Sequence, residues 1–247
     1  MSKSVRIVEK ASMTPGTTML YGIPDVGLVG LIATAEVESQ NNLKEVAELD
    51  SDFLPPVTVL HEGLPNAPLH ISSNESISVV VSEIAVPAAA LRPVMKALLE
   101  WSSEKKVGSI ISIGGIPVPN RQEIKEPRVF GAASTASLLK LLEGRGIQIL
   151  KEGYIVGPNS LILRYCSEKG VPAIILLAES FYEFPDPEAA SASLKELSKI
   201  VDVKVDISEL VGKGEEIRLR TRDMMRRTQR EMSEMRKSQE YDLPLYV

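Results

Sequence analysis

The sequence contains few of the side chains from which metal centres, disulfides and nucleophilic sites are built. Cys166 is the only cysteine, and His61 and His70 are the only histidines. One cysteine excludes an internal disulfide and a cysteine-rich zinc site, and no His, Cys or carboxylate residues have metal-ligand spacing. A G-x-S-x-G elbow is missing too. We therefore expect no metal, no cofactor and no catalytic residue, and we expect Cys166 to be a core residue inside a helix.

Long apolar runs are also missing. The longest, such as "GLVGLIATA", are far too short to cross a bilayer, and the stretch "MSKSVRIVEKASM" lacks the apolar core of a signal peptide. A hydrophobic content of 44% and a charged content of 25% are ordinary for a globular protein with a buried core. The net charge of −5 argues against a general nucleic-acid binder. The composition predicts a soluble, cytoplasmic protein with no membrane or nucleic-acid partner.

Short apolar runs alternate with longer helical patterns along residues 1–206, which predicts an α/β body. The predicted strands are "TTMLYGI", "VTVLH", "SISVVVSE", "VGSIISIGGI", "GIQIL" and "VPAIILLAE". The predicted helices are "VGLVGLIATAEVES", "PAAALRPVMKALLEWSSEKK", "STASLLKLLEGRG", "GPNSLILRYCSEKG" and "DPEAASASLKELSKIV". This order is typical of a three-layer sandwich, in which helices cover both faces of a mostly parallel sheet. Pro93 marks either a first helical turn or a kink.

A C-terminal helical arm over residues 207–240 follows the body, with Gly212 and Gly214 as a predicted hinge. Between residues 213 and 240 the sequence has nine basic and six acidic residues, so this stretch carries +3 and the remainder −8. Such a stretch is either a solvated helix or a basic surface for an acidic partner or nucleic acid, and no aromatic residue for base stacking precedes Tyr241. A thin methionine seam, which includes Met225, Met232 and Met235, is suited to packing on the body or on a neighbouring subunit. We expect a subunit contact there.

Glycine-rich loops follow several predicted strands, where open α/β sheets bind ligands. "GIPDVGLVG" places Gly22, Gly27 and Gly30 before a helix start, which can hold an anion, but its spacing fits neither the dinucleotide nor the P-loop pattern. The alternative is that these glycines permit a turn and close helix-to-sheet packing. The glycines therefore mark either a phosphate site or a packed turn.

"SIGGIPVPNR" places Gly114, Gly115, Asn120 and Arg121 after another strand. With "GPNSL" and "AESFYEFPDPEA", this loop could line one rim. The alternative is ordinary turn chemistry. Two carboxylates at predicted strand ends, Glu83 and Glu179, are either acids with perturbed pKa values or hydrogen-bond partners of local loops.

Four stretches in this order resemble the archaeal proteasome assembly chaperone family: "YGIPDVGLVGLIA", "ISIGGIPVP", "GPNSLIL" and "FPDPEAA". The resemblance covers roughly residues 15–200. It implies an α/β sandwich similar to purine nucleoside phosphorylases but without their catalytic residues. It also implies a homo-oligomer.

The tail over residues 241–247 ends in Leu245, Tyr246 and Val247, which resemble the hydrophobic–Tyr–any motif of proteins that bind the proteasome core particle. The tyrosine ring and hydroxyl and the terminal carboxylate suit a lysine-bearing pocket between two α subunits. The resemblance thus implies an ATP-independent chaperone that docks on the proteasome α subunits or α-ring. Two alternatives are a small-molecule, nucleoside-like enzyme that uses the glycine loops and an oligomeric scaffold whose tail packs on its neighbour.

Overall fold

The structure, a computed structural model, describes residues 4–238, apart from the side chains of residues 209, 211 and 236–238. The strands are β1 (Val5–Glu9), β2 (Thr18–Gly22), β3 (Lys44–Ser51), β4 (Val59–His61), β5 (Leu64–Asn66), β6 (Leu69–Ser73), β7 (Ile77–Ser82), β8 (Ser109–Pro117), β9 (Val129–Ala133), β10 (Gln148–Ile149) and β11 (Ala173–Ser180). The helices are α1 (Val29–Gln40), α2 (Ala88–Glu104), α3 (Ala136–Gly144), α4 (Pro158–Lys169), α5 (Pro187–Leu197), α6 (Ile207–Gly212) and α7 (Gly214–Ser238). Short 3₁₀ helices lie at Val26–Leu28 and Arg121–Glu123.

Nine of the strands form one mixed sheet in the order β1-β3-β6-β7-β2-β8-β11-β9-β10. The centre, β7-β2-β8-β11, is parallel, as predicted. β1, β3 and β6 extend it by antiparallel pairing on one side, and β9 pairs antiparallel with β11 on the other. The predicted α/β class is therefore confirmed. The sequence did not predict the antiparallel strands on the two sides of the sheet.

Helices cover both faces of the sheet, which gives the predicted three layers. Met19 and Tyr21 of β2 face a core shared with α2 and α4, whereas Leu20 faces a core shared with α1 and α5. The start of α5 has two sequence signals typical of helix starts: Asp186 accepts a hydrogen bond from the backbone N–H of Ala189 at 3.0 Å, and Pro187 occupies the first helical position. Pro93 lies inside α2, whose first residue is Ala88.

The stretch "VTVLH" lies outside the main sheet. Its residues Val59–His61 form β4, which pairs antiparallel with β5 to make a separate hairpin. Leu60 and Leu64 of this hairpin are 66% and 68% exposed. The strand was predicted correctly, but a strand with exposed leucines and a single partner strand is not part of the central sheet.

The C-terminal arm breaks at Lys213, between α6 and α7, beside the predicted glycine hinge. α7 then lies along the body. The Glu231 carboxylate accepts a hydrogen bond from the first N–H of α2, on Ala88, at 2.9 Å. Gln229 donates to the Tyr182 carbonyl at 3.1 Å, and Met225 is buried. Methionines of the seam pack on the protein's own cores, Met225 on one and Met235 on the other, which is one of the two surfaces that the sequence allowed. A subunit contact through α7 stays a prediction.

Two absences hold for the part of the chain that the structure describes. No helix there has the length and apolar character of a membrane span. No three His, Cys, Asp or Glu side chains there are grouped closely enough to hold a metal ion.

Candidate functional site

The loops at the carboxyl edge of the central strands meet in one place, which we call the rim. It comprises residues 22–28 after β2, residues 114–121 around the end of β8, residues 157–159 at the start of α4 and residues 180–187 after β11. Gly27 has a φ of 63°, and its carbonyl accepts a hydrogen bond from the Asp186 N–H at 2.8 Å. The Val118 N–H donates to the Ser180 carbonyl at 3.2 Å, and the Asn159 side chain donates to Asp25. Hydrogen bonds therefore join all four loops.

Protein atoms already fill the space beside the rim glycines. A Cβ at Gly22 would lie 1.8 Å from the Thr34 hydroxyl oxygen, and one at Gly30 would lie 2.2 Å from the Ile113 carbonyl oxygen. A Cβ at Gly27 would lie 1.9 Å from the Ser180 hydroxyl. These contacts join α1 and its preceding turn closely to β8 and β11. The geometry accounts for the three glycines as packing positions, because a side chain at any of them would clash with its neighbours.

Gly114 and Gly115 have the same role at the end of β8. A Cβ at Gly114 would lie 2.3 Å from the Asn159 amide nitrogen and 2.4 Å from the Asp25 carboxylate. A Cβ at Gly115 would lie 2.3 Å from the Val26 carbonyl oxygen. Glycine at these two positions thus leaves room for the neighbouring loops that contain Asp25, Val26 and Asn159.

Arg121 is buried and its hydrogen-bonding groups are directed at the protein. Its Nε and Nη2 donate to the Asp186 carboxylate at 2.7 and 2.9 Å, and Nη1 donates to the Ile124 carbonyl at 2.6 Å. The guanidinium also lies 5.0 Å from the centre of the Phe181 ring. Because Asp186 is the cap of α5, this pair fastens the β8 loop to the start of that helix. Arg121 therefore has a structural partner for each of these groups.

A buried polar chain lies beneath the rim. The Ser112 hydroxyl donates to Oδ1 of Asn159 at 2.6 Å, and the Asn159 amide donates to Oδ2 of Asp25 at 3.0 Å. The backbone N–H of Gly115 is a further donor to the Asp25 carboxylate. Burial raises the pKa of Asp25 well above its usual range, against the opposing effects of the Gly115 amide and Asn159. Our sequence interpretation missed this pair, although both residues stand in the quoted motifs, because it singled out only the glycines of the first motif and no side chain of "GPNSL".

The other candidate acids are paired. Glu179 accepts hydrogen bonds from the backbone N–H and from Nε of Arg128, each at 3.0 Å. Although burial opposes the charged form, these contacts lower the pKa of Glu179. Glu83 lies 2.9 Å from Nε2 of His61. Burial raises the pKa of Cys166 to about 12, so its thiol is not an activated nucleophile.

The predicted partner-binding residues, Leu245, Tyr246 and Val247, lie outside the described residues. The last described stretch of α7 reaches the region where α2 and α4 begin. Glu234 and Met235 line a groove there together with Ala88 and Ser160. The arm therefore brings the end of the described chain to the rim side of the body.

Solved structures with the same fold match nearly the whole chain. PbaA of Pyrococcus furiosus, described as an archaeal homologue of proteasome-assembly chaperone, matches with a TM-score of 0.86 and 26% identity over 92% of this chain and 98% of that one. PbaB of the same organism, described as an archaeal proteasome activator, matches with a TM-score of 0.73 and 23% identity over 96% of this chain and 99% of that one. The PbaB match shows the shared fold.

A relative and a family model cover the chain at the level of sequence. The uncharacterized protein MJ0106 of Methanocaldococcus jannaschii is 28% identical over 100% of both chains. The model of the PAC2 family matches residues 19–225, which include the rim and much of α7. The chain belongs to the PAC2 family.

Proposed function

We propose that this protein is an ATP-independent proteasome assembly chaperone, or a proteasome-interacting protein, that docks its last three residues in the intersubunit pockets of the α-ring. The observation that carries the proposal is the likeness to PbaA over 92% of the chain. The sequence Leu245-Tyr246-Val247 accompanies that likeness. The proposal requires no catalytic residue and no nucleotide.

The chemistry of the tail supports a pocket that binds a chain end. Tyr246 offers an aromatic ring and a hydroxyl, and Val247 offers the terminal carboxylate, which a lysine in the pocket would neutralise. Pro244 restricts the approach to these residues and so reduces the entropy lost on binding. A penultimate tyrosine after an apolar residue occurs by chance in roughly 1% of chains, given average composition.

The attachment of α7 supports a defined starting point for that tail. Arg218 of α7 donates to the Glu188 carboxylate at 2.6 and 2.7 Å, and Glu231 caps α2. Met235 packs against the core shared with α2. The tail would thus be tethered to the body through a packed helix.

We also propose that the protein is a homo-oligomer, because one short tail binds weakly and several tails on one assembly gain effective concentration. The β4–β5 hairpin supports this proposal. Its Leu60 and Leu64 are exposed, and an isolated two-stranded hairpin is marginally stable without further packing. Light scattering of the intact chain and of the Leu60→Glu, Leu64→Glu double variant tests the hairpin as the subunit contact.

The test of docking is a binding measurement on purified archaeal α-rings. We expect the intact chain to bind, and we expect Tyr246→Ala to bind about thirtyfold or more weakly, the effect of losing a hot-spot side chain. Tyr246→Phe, which retains the ring, should bind with intermediate affinity. A variant lacking Leu245, Tyr246 and Val247 should not bind. Undiminished binding by that variant would move the contact to the body, and no binding by any form would refute the proposed function.

A further inference from the structure

One side of α7 carries arginines that remain in solvent. Four exposed residues follow one another there at spacings of three, four and four: Leu219, Arg222, Arg226 and Arg230. These spacings place them along the same side of the helix, over roughly 16 Å. Arg226 lies 3.9 Å from Asp223, and within the described residues Arg222 and Arg230 have no ion-pair partner. We call this side, from Leu219 to Arg230, the arginine face.

The end of the sheet at β10 has a groove of complementary character. β10 is the last strand in the sheet order and pairs with β9 on its inner side. Beside it lies a shallow groove of about 770 Å³, whose apolar lining comprises Phe130, Ile147, Ile149 and Leu150. Glu143 and Glu152 also line it, both are exposed, and neither has an ion-pair partner among residues 4–235. Lys151 is the basic residue of this lining. We call it the β10 groove.

Charge and geometry indicate what covers the β10 groove. A helix laid on a sheet edge is a usual way to protect its unpaired N–H and C=O groups. The arginine face offers an exposed leucine for the apolar lining and arginines for the two carboxylates, a combination typical of protein–protein contacts. Residues 213–240 carry +3 and the remainder −8, so the acidic body of another copy suits this face. Within its own chain, α7 is held against α2 and α5, which leaves the arginine face to a second copy.

We propose that the arginine face of one copy docks in the β10 groove of a second copy, with Leu219 against the apolar lining and the arginines beside the two glutamates. Because the two surfaces differ, the contact is heterologous, and its repetition builds a ring when the rotation between copies closes. A nucleic acid fits this face less well, because Leu219 and Asp223 lie among the arginines and α7 has no aromatic residue for stacking. The inference rests on the homo-oligomer proposed above. It is separate from the hairpin contact and from tail docking.

Charge reversal on each surface tests the contact, by sedimentation equilibrium on the full chain at about 0.15 M ionic strength. The face variant is Arg222→Glu with Arg226→Glu, and the groove variant is Glu143→Arg with Glu152→Arg. Each should weaken self-association at least about tenfold, because like charges then face each other. The chain with all four reversals should associate about as tightly as the parent, because opposite charges meet again.

The matched control reverses two exposed charges on α4, Arg164→Glu with Lys169→Glu, and should associate like the parent. All the substituted positions are exposed, so circular dichroism of each variant should match that of the parent.

The outcomes separate this contact from the other proposals. Unchanged association of the face and groove variants, or no recovery in the chain with all four reversals, would overturn the contact and leave the homo-oligomer standing. A monomeric parent would overturn both, while tail docking would still be decided by the Tyr246→Ala measurement on α-rings. A short DNA duplex is the nucleic-acid comparison. Binding of the duplex by the parent and not by the face variant, with self-association unchanged, would assign the face to nucleic acid and overturn the contact.

Discussion

The rim and the helix α7 that packs beside it use their charged residues in opposite ways. In the rim, the side chains of Arg121 and Asp186 are 5% and 0% exposed and form a buried ion pair. On α7, Arg226 and Asp223 are 70% and 79% exposed and 3.9 Å apart. The charged rim side chains are thus paired inside the protein. Most charged residues of α7 are exposed, and Arg218 and Glu231, which attach the helix to the body, are the exceptions. This difference supports the proposal that the protein acts through contacts of its C-terminal part.

The buried rim pair should give the largest effect on stability. Arg121→Met leaves the Asp186 carboxylate buried and without its partner, so we expect the free energy of unfolding to fall by about 3–5 kcal/mol. Chemical denaturation measures this change. The matched control is Arg164→Met, because the ion pair of Arg164 with Glu168 is exposed and its loss should change little. Equal effects in the two variants would refute the distinction between buried and exposed pairs.

A methyl group at the closest rim contact should have the next largest effect. Gly30→Ala places a Cβ 2.2 Å from the Ile113 carbonyl oxygen, so α1 must move away from β8, and we expect a loss of about 3 kcal/mol. Gly144→Ala is the control, since nothing lies within 4 Å of its added Cβ. That variant should be as stable as the parent in thermal unfolding. A stable Gly30→Ala variant would show that the rim is loosely packed.

The attachment of α7 should break at a smaller cost. Glu231→Gln removes a carboxylate from the N-terminus of α2, where Ala88 donates to it, and such charge–helix contacts contribute about 1 kcal/mol. We expect the body to stay folded and the amides of α7 to exchange faster with deuterium. Glu216→Gln, on an exposed position of the same helix, should leave exchange unchanged. Unchanged exchange in Glu231→Gln would show that other contacts hold the arm.

The smallest predicted effect depends on pH. Nε2 of His70 lies 3.1 Å from the Glu38 carboxylate. Burial lowers the pKa of His70, but the hydrogen bond and charge of Glu38 outweigh burial and raise the pKa above 6.5. The pair's contribution is therefore fully present below about pH 6.5, the unfolded value, and is lost as pH rises through the folded value.

We expect this contribution to be under about 1 kcal/mol. The difference in stability between the parent and His70→Gln should shrink as the pH is raised from about 6 to about 8. Denaturation at a series of pH values measures this trend. A difference that grows with pH would contradict the assigned pairing.

The sequence predicted the centre of the sheet and missed its flanks for a physical reason. β7 and β11 are buried along their whole length, and such strands have continuous apolar sequences. β3, with the sequence "KEVAELDS", has exposed and half-buried charged positions, and its pattern is that of a polar segment. The antiparallel strands at one side of the sheet were therefore not predicted.

The hydrogen-bonded side-chain pairs in and beneath the rim join residues that are far apart in the sequence. Asp25 and Asn159 are 134 residues apart, and Arg121 and Asp186 are 65 apart. The motifs could be placed at one edge of the sheet from the order of strands and helices, because parallel strands end together. Which side chains pair there depends on distances of a few ångström, and no pattern within one motif contains that information. The methionine seam of α7 could be predicted because its spacing lies within one helix. The surface on which it packs could not, because that surface is formed by residues far away along the chain.

The rate at which free α subunits assemble into rings, without ATP, tests the central claim most directly. It is measured with the intact chain, with Tyr246→Ala and with no added protein. We predict that the intact chain accelerates ring formation and that the Tyr246→Ala chain leaves the rate near that of the subunits alone. Equal acceleration by both chains would show that the body, and not the tail, acts on the α subunits. No acceleration by either would contradict the assembly role.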